Sequence, residues 1–213
     1  MNELELRQQI IATALEMNAI GLNRGSSGNV SVRWGDGFLI TPTGLSYADI
    51  TPSDIVAMNF DGSWSGSRAP SSEWHFHRDI LAARSEIGSV LHTHSTFATI
   101  LACLGLEIPP FHYMIAVAGG KTIRCAPYAT FGTQELSGHA LSALEGRKAC
   151  LLANHGMIVI GTTLADTLAR TVEVEALCEQ YWRALQIGAP NLLSDAEMDL
   201  VLEKFKHYGQ LQK

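Results

Sequence analysis

The sequence predicts one α/β domain built in layers, with a central mixed or mainly antiparallel sheet covered by helices. Three observations lead there. Short apolar runs bounded by Gly, Pro, Asn and Asp read as strands, and two of them, Val30-Ser31-Val32-Arg33-Trp34 and Phe38-Leu39-Ile40, are joined through Gly35-Asp36-Gly37 as a hairpin. Segments with helical spacing interleave with these strands but without a repeated β-α period, so a purely parallel sheet is not expected. The 213 residues suffice for a full core, so residues 1–213 are expected to form a single domain.

Leu6, Ile10, Ala14 and Met17 recur at helical spacing and predict a helix over residues 2–22, ended by the polar loop Asn23-Arg24-Gly25-Ser26-Ser27-Gly28-Asn29. The hairpin follows, then the turn Thr41-Pro42-Thr43-Gly44 and a strand at Ile55-Val56-Ala57-Met58, with residues 65–70 as loop. Ser71 or Ser72 is placed to cap a helix running to Arg84, with Glu73 in its first turn, where the helix dipole favours a carboxylate. Ile87-Gly88-Ser89-Val90-Leu91 reads as a buried strand leading into His92 and His94. Helices are expected at 96–104, 111–118 and 134–144, and a strand at Thr122-Ile123-Arg124-Cys125. Ala149-Cys150-Leu151-Leu152 and Met157-Ile158-Val159-Ile160 flank Asn154-His155-Gly156 as strands. A long helix over 164–185 and a last one ending near Phe205, opened by the capping-box spacing of Ser194-Asp195-Ala196-Glu197, complete the chain.

The net charge of −6 carries no basic stripe, which argues against a nucleic-acid partner. Cys103, Cys125, Cys150 and Cys178 form no Cys-x-x-Cys pair and read as reduced, mostly buried thiols. No signal-like segment follows the acidic start, and no apolar run approaches the roughly 18 residues of a membrane span, so a cytoplasmic, membrane-free protein is expected.

Side chains alternate faces along a strand, so His92 and His94 project the same way and supply half of a transition-metal site. Glu73 can add an oxygen and His155 a third nitrogen. Three imidazoles and one carboxylate suit zinc, which accepts both ligand types. The alternative is a set of ordinary core or surface histidines; the occurrence of three candidates beside apolar runs favours the metal. His77, one helical turn beyond Glu73, is a competing ligand candidate or a residue hydrogen-bonded to a ligand. His75 points elsewhere on the helix, and His112, His139 and His207 lack ligand-like spacing. Gly25-Ser26-Ser27-Gly28-Asn29, Thr43-Gly44 and Ser71-Ser72 each read alone as turn and cap chemistry, yet Ser71-Ser72 adjoins a proposed ligand and can hold an anion there. Glu73 is either a helix-terminal carboxylate or one that touches a metal and leaves it to act as general base. Tyr113 and Tyr208 read, on the residues alone, as ordinary hydrogen-bonded tyrosines.

Taken together, Arg24-Gly25-Ser26-Ser27-Gly28-Asn29-Val30-Ser31, Ile40-Thr41-Pro42-Thr43-Gly44, Ser71-Ser72-Glu73-Trp74, His92-Thr93-His94, His112-Tyr113-Met114-Ile115-Ala116, Cys125-Ala126-Pro127-Tyr128-Ala129-Thr130-Phe131-Gly132-Thr133, Asn154-His155-Gly156 and Lys204-Phe205-Lys206-His207-Tyr208-Gly209 resemble the class II aldolase/adducin-like family. The resemblance covers nearly the whole chain and is strongest to the L-fuculose-1-phosphate aldolase branch. It implies one zinc ion per subunit on Glu73, His92, His94 and His155, and a phosphate pocket of Gly28, Asn29, Thr43, Gly44, Ser71 and Ser72. It also implies that Tyr113 reaches in from a neighbouring subunit as the acid at the aldehyde oxygen. Phe131, Phe205 and Tyr208 would wall the aldehyde, and the assembly would be a cyclic homotetramer with active sites at subunit interfaces.

The implied reaction is reversible cleavage of a ketose 1-phosphate (L-fuculose 1-phosphate or a related deoxypentulose 1-phosphate) into dihydroxyacetone phosphate and an aldehyde such as L-lactaldehyde. Zinc replaces the lysine Schiff base, and Glu73 moves the proton at C3. Thr93 stands where the fuculose-phosphate branch carries another polar residue, Ser95-Thr96-Phe97 resembles the related epimerases, and the short segment 210–213 leaves the aldehyde open. L-Lactaldehyde, acetaldehyde, a methylthio-aldehyde and glycolaldehyde all fit. Within the family, the alternatives are a ribulose-phosphate 4-epimerase, which typically carries Asp where Glu73 stands, and a methylthioribulose-1-phosphate dehydratase. A non-catalytic adducin-like assembly module is the third, although such domains have lost ligands that this chain retains.

Overall fold

Local chemistry sets the ends of the first helix. In the computed structural model, which describes residues 2–207, α1 spans Glu3–Ala19. The Asn2 side chain accepts from Glu5 N at 2.9 Å, while Glu5 Oε2 accepts from Asn2 N at 2.9 Å, a reciprocal cap. The helix ends before residue 22 because Gly21 adopts φ 81°, and Leu22 N then closes back on Met17 O at 2.9 Å.

Eight strands form one sheet in the order β4–β3–β2–β1–β5–β8–β7–β6. They are β1 (Asn29–Trp34), β2 (Gly37–Ile40), β3 (Val56–Asn59), β4 (Trp64–Ser65), β5 (Ser89–Thr93), β6 (Cys125–Ala126), β7 (Ala149–Leu152) and β8 (Gly156–Gly161). Every neighbouring pair is antiparallel except β6 with β7, so the sheet is mixed and mainly antiparallel, as expected from the sequence.

Both faces of the sheet are covered, and the strand residues divide between them with period two. Val30, Val32, Leu39, Leu91, Leu151, Met157 and Val159 pack on one face. There they meet α1, α3 (Thr96–Cys103), α5 (Leu164–Ile187) and α6 (Asp195–His207). Phe38, Ile40, Val90, Cys150, Leu152, Ile158 and Ile160 pack on the other, against α2 (Trp74–Ala83) and α4 (Gln134–Ala143). Phe76 of α2 is only 1% exposed and sets its ring edge against His92 at a 5.4 Å centroid separation. Phe76→Ala is therefore expected to cost about 3–5 kcal/mol, read by denaturant unfolding.

Several expected elements change. The second helix begins at Trp74, not Ser71 or Ser72; Glu73 is its N-cap residue, and Ser71 Oγ instead accepts from Glu73 N at 3.3 Å. The segment 111–118 holds a 3-10 turn at Tyr113–Ala118, ended by Gly119 at φ 86°. The strand expected at 122–125 is reduced to β6, with Ile123 making only a bridge to Ile108. Trp64 and Ser65 add a short edge strand where loop was expected. Cys150 and Cys178 are buried, Cys125 is half-buried and Cys103 is exposed, and all four are free thiols. Among the described residues, no helix is long and apolar enough to cross a membrane.

Candidate active site

The sheet topology brings the chemistry to one end. β1 starts at Asn29, β8 starts at Gly156, and β5, which lies between them and runs the other way, finishes at Thr93. Asn29 pairs with His92 across β1 and β5, and Thr93 pairs with Met157 across β5 and β8. His94 and His155 therefore flank the end of β5, and Glu73 enters from the N-cap of α2.

Two glycines allow this closeness. A Cβ on Gly156 would stand 2.3 Å from Thr93 O and 3.1 Å from a His94 ring carbon. Gly28, at φ 77°, would carry a Cβ 2.5 Å from His92 O and 2.4 Å from the Asn23 amide. No side chain fits at either position. The stretch after β5 is held from two sides. Asn23 Oδ1 accepts from His94 N at 3.1 Å. Glu175 of α5 accepts from Ser95 Oγ at 2.7 Å, Phe97 N at 2.8 Å and Ala98 N at 2.9 Å. That carboxylate serves the start of α3, where free N–H groups favour negative charge.

Glu73, His92, His94 and His155 each aim one ligand-type atom at a common point, all within 4.8 Å of one another. Glu73 Oε2 lies 3.2 Å from His92 Nε2, Glu73 Oε1 lies 3.1 Å from His155 Nε2, and His92 Nε2 lies 2.9 Å from His94 Nε2. The three imidazoles meet edge to face, with interplanar angles of 75°, 73° and 71°. His92 Nδ1 is 2.9 Å from Met157 O, which only accepts, so the proton sits on Nδ1 and the lone pair of Nε2 faces the cluster. Glu73 Oε1 is buried and accepts no hydrogen bond among the described residues.

The His92 lone pair thus faces the Glu73 carboxylate and the His94 ring nitrogen, an arrangement that a cation satisfies. Tetrahedral bonds of about 2.0–2.1 Å separate ligand atoms by about 3.3 Å, close to the spacing found here. Burial pushes the Glu73 carboxyl up, but positive charge beside it, on His92 and His155 or at the centre of the cluster, outweighs burial and holds the group well below the usual carboxylate range. His94 is lowered to about 4 by burial, then by His92 and His155, which leaves it neutral and able to ligate near neutral pH.

The cluster opens on a cavity of about 350 Å³. Gly28, Asn29, Thr43, Gly44, Ser71 and Ser72 line it, joined by Ser26 and Ser27, while Glu73, His94 and His155 form its floor and Tyr128, Ala129 and Phe131 its apolar side. Among the described residues no Lys or Arg lines it, so an anion there meets only neutral donors. Phe131 lines this cavity while 64% exposed. Phe205 packs against the core of its own chain and lines a separate cleft with Met114, Lys148 and Arg170. Tyr113 is 52% exposed, not buried, and does not line the cavity of its own chain. Tyr208 lies outside the described residues.

His77 is not a ligand; it is fully buried against Asn29 and Ser31. His75 stacks on Trp74 at 3.9 Å. Sequence reasoning missed Asn154, which lines the cavity in a left-handed conformation at φ 56°. An Asn in the short turn between two apolar strands was the only signal for it.

The model of the class II aldolase and adducin N-terminal domain matches residues 8–182, and the chain belongs to that family. Within the family it is a class II aldolase, an aldehyde-lyase, like the curated relatives it matches over nearly full length. The 5-methylthioribulose-1-phosphate/5-deoxyribulose-1-phosphate aldolase of Rhodospirillum rubrum is 59% identical over 208 residues, 98% of this chain and 94% of that protein. The L-fuculose phosphate aldolase of Escherichia coli is 49% identical over 210 residues, 98% of each. A solved L-fuculose 1-phosphate aldolase structure superposes with a TM-score of 0.92 at 42% identity, covering 95% of this chain and 96% of that one.

Proposed function

We propose that residues 1–213 form one zinc-dependent aldolase domain that cleaves a ketose 1-phosphate with a short apolar tail, such as 5-deoxyribulose or 5-methylthioribulose 1-phosphate. The products are dihydroxyacetone phosphate and the corresponding aldehyde. The observation that carries this reading is the meeting, in one small cavity, of a cluster of one glutamate and three histidines with a cradle of hydroxyl and amide donors. Glu73, His92, His94 and His155 would hold one zinc ion per subunit. Bound there, the ion would supply Lewis-acid polarisation of the substrate carbonyl.

The chain's own residues do the rest. Thr43, Ser71, Ser72 and Asn29 donate to the phosphate, with Gly28 and Gly44 letting it approach the backbone. In cleavage the C4 hydroxyl gives its proton to the Tyr113 phenolate of a neighbouring copy, the C3–C4 bond breaks with its electron pair staying on the three-carbon fragment, and the Glu73 carboxylic acid protonates C3. In the aldol direction Glu73 removes that proton. Tyr113, exposed on its own subunit, serves a neighbouring copy in a homotetramer by protonating the aldehyde oxygen.

Two findings support the apolar tail: the Tyr128, Ala129 and Phe131 wall, and the 59% identity to the R. rubrum enzyme against 49% to the E. coli one. The expected kcat/KM for 5-deoxyribulose or 5-methylthioribulose 1-phosphate exceeds that for L-fuculose 1-phosphate by about tenfold or more, in the range set by a hydroxyl-bearing carbon placed at an apolar wall. A coupled assay of dihydroxyacetone phosphate measures it. The reverse order would assign L-fuculose 1-phosphate and L-lactaldehyde.

A further inference from the structure

One buried histidine is used by neither the metal cluster nor the cavity wall. His77, on α2, is fully buried, with Nε2 at 2.5 Å from Asn29 Oδ1 and Nδ1 at 2.7 Å from Ser31 Oγ. Asn29 in turn donates from Nδ2 to Glu73 Oε2 at 2.9 Å. The donors and acceptors along this chain admit one polarity only. The Glu73 carboxylate accepts, so Asn29 must turn its NH2 toward it and its carbonyl oxygen toward His77. That oxygen also only accepts, so His77 must carry its proton on Nε2. Nδ1 then bears a lone pair and takes the Ser31 hydroxyl proton. Burial, then the nearby His92, lower the His77 imidazolium to about 3, which agrees with a neutral ring but is not needed for the polarity.

An isolated asparagine amide can turn over at little cost, exchanging its oxygen and nitrogen. Here a flip would set Asn29 Oδ1 against the Glu73 carboxylate and its NH2 against the His77 N–H. Both contacts are repulsive in a buried space, where unmade hydrogen bonds are costly. We propose that His77 is a positioning residue: by donating from Nε2 it fixes the Asn29 amide, so that one Nδ2 hydrogen holds Glu73 Oε2 and the other faces the cavity. Asn29 lines that cavity beside Ser71 and Ser72. A single amide group therefore touches both the metal-ligating carboxylate and the place of the substrate phosphate, and His77 sets it for both. This inference rests on the cluster holding a metal, and wild-type zinc retention tests that reading separately.

The experiment compares wild type with His77→Phe and His77→Gln. Phe keeps a planar ring without donating; Gln can still donate to Asn29 Oδ1. Zinc affinity is measured by competition with a chromogenic chelator on stripped protein, and inorganic phosphate binding by titration of the zinc form. His77→Phe is expected to weaken zinc binding about 10-fold, the low end of the effect of losing a direct partner of a ligand, because His77 acts on Glu73 through Asn29. It should also weaken phosphate binding and raise KM together with a fall in kcat. His77→Gln is expected to stay within about threefold of wild type on all readouts, because it keeps the hydrogen bond to Asn29. A folded His77→Phe with wild-type zinc and phosphate affinity overturns the proposal, as does a His77→Gln that loses as much as Phe. Should Phe not fold, 15N NMR of histidine-labelled wild type decides. The account requires His77 as the Nε2–H tautomer, its signal identified by its loss in His77→Gln, and an Nδ1–H tautomer or an imidazolium near neutral pH overturns it.

Discussion

Glu73→Gln is expected to lower the rate of dihydroxyacetone phosphate release by about 10²–10⁴-fold, the range lost with a general base. Glu73 is the one carboxylate among the described residues lining the cavity. Its two oxygens have different partners: Oε2 faces His92 and the Asn29 amide, and Oε1 faces His155 without a hydrogen bond of its own. A glutamine keeps the volume and the contact with Asn29 but neither the charge nor the basicity. Metal content must be measured on the same sample, because the neutral amide is also the weaker ligand. Near-wild-type turnover with metal bound would remove Glu73 from the proton transfer at C3.

Stripping the metal is expected to lower the melting temperature by about 8–16 °C relative to protein in zinc at a thousand times its dissociation constant. Such a ligand contributes about 4.1 kcal/mol, and a chain of this size shifts about 2–4 °C per kcal/mol. The physical reason lies in the cluster itself. Without a cation, the ring nitrogens of buried His92, half-buried His155 and exposed His94 and the two Glu73 oxygens crowd together at 2.9–3.2 Å. His92→Ala should abolish the zinc-dependent part of the shift, since His92 is completely buried and its ring is locked by Met157 O. Equal melting temperatures with and without zinc would contradict a metal site at these residues.

Much of the fold was legible because it depends on local pattern. Period-two alternation gave β1 and the shared direction of His92 and His94, the Gly35-Asp36-Gly37 turn gave β2, short apolar runs gave β7 and β8, and helical spacing gave α1. The start of α2 was not legible: cap preference favours Ser71 and Ser72, and the packing that seats Glu73 at the cap position with its carboxylate on the cluster is tertiary. The second use of Asn29 was hidden for the same reason, because its hold on Glu73 follows from the β1–β5 register and from α2 crossing that face. Asn154 carries its information in a backbone angle, which a residue type suggests only weakly. Tyr113 and Phe205, drawn toward the site by family resemblance, lie away from the cavity of their own chain.

The most direct measurement is release of dihydroxyacetone phosphate from 5-deoxyribulose 1-phosphate by zinc-loaded protein, by chelator-stripped protein, and by stripped protein given zinc again. The account predicts release that is lost on stripping and restored with zinc, in step with about one ion per subunit. No release from this substrate, from 5-methylthioribulose 1-phosphate or from L-fuculose 1-phosphate, with metal bound throughout, would contradict it.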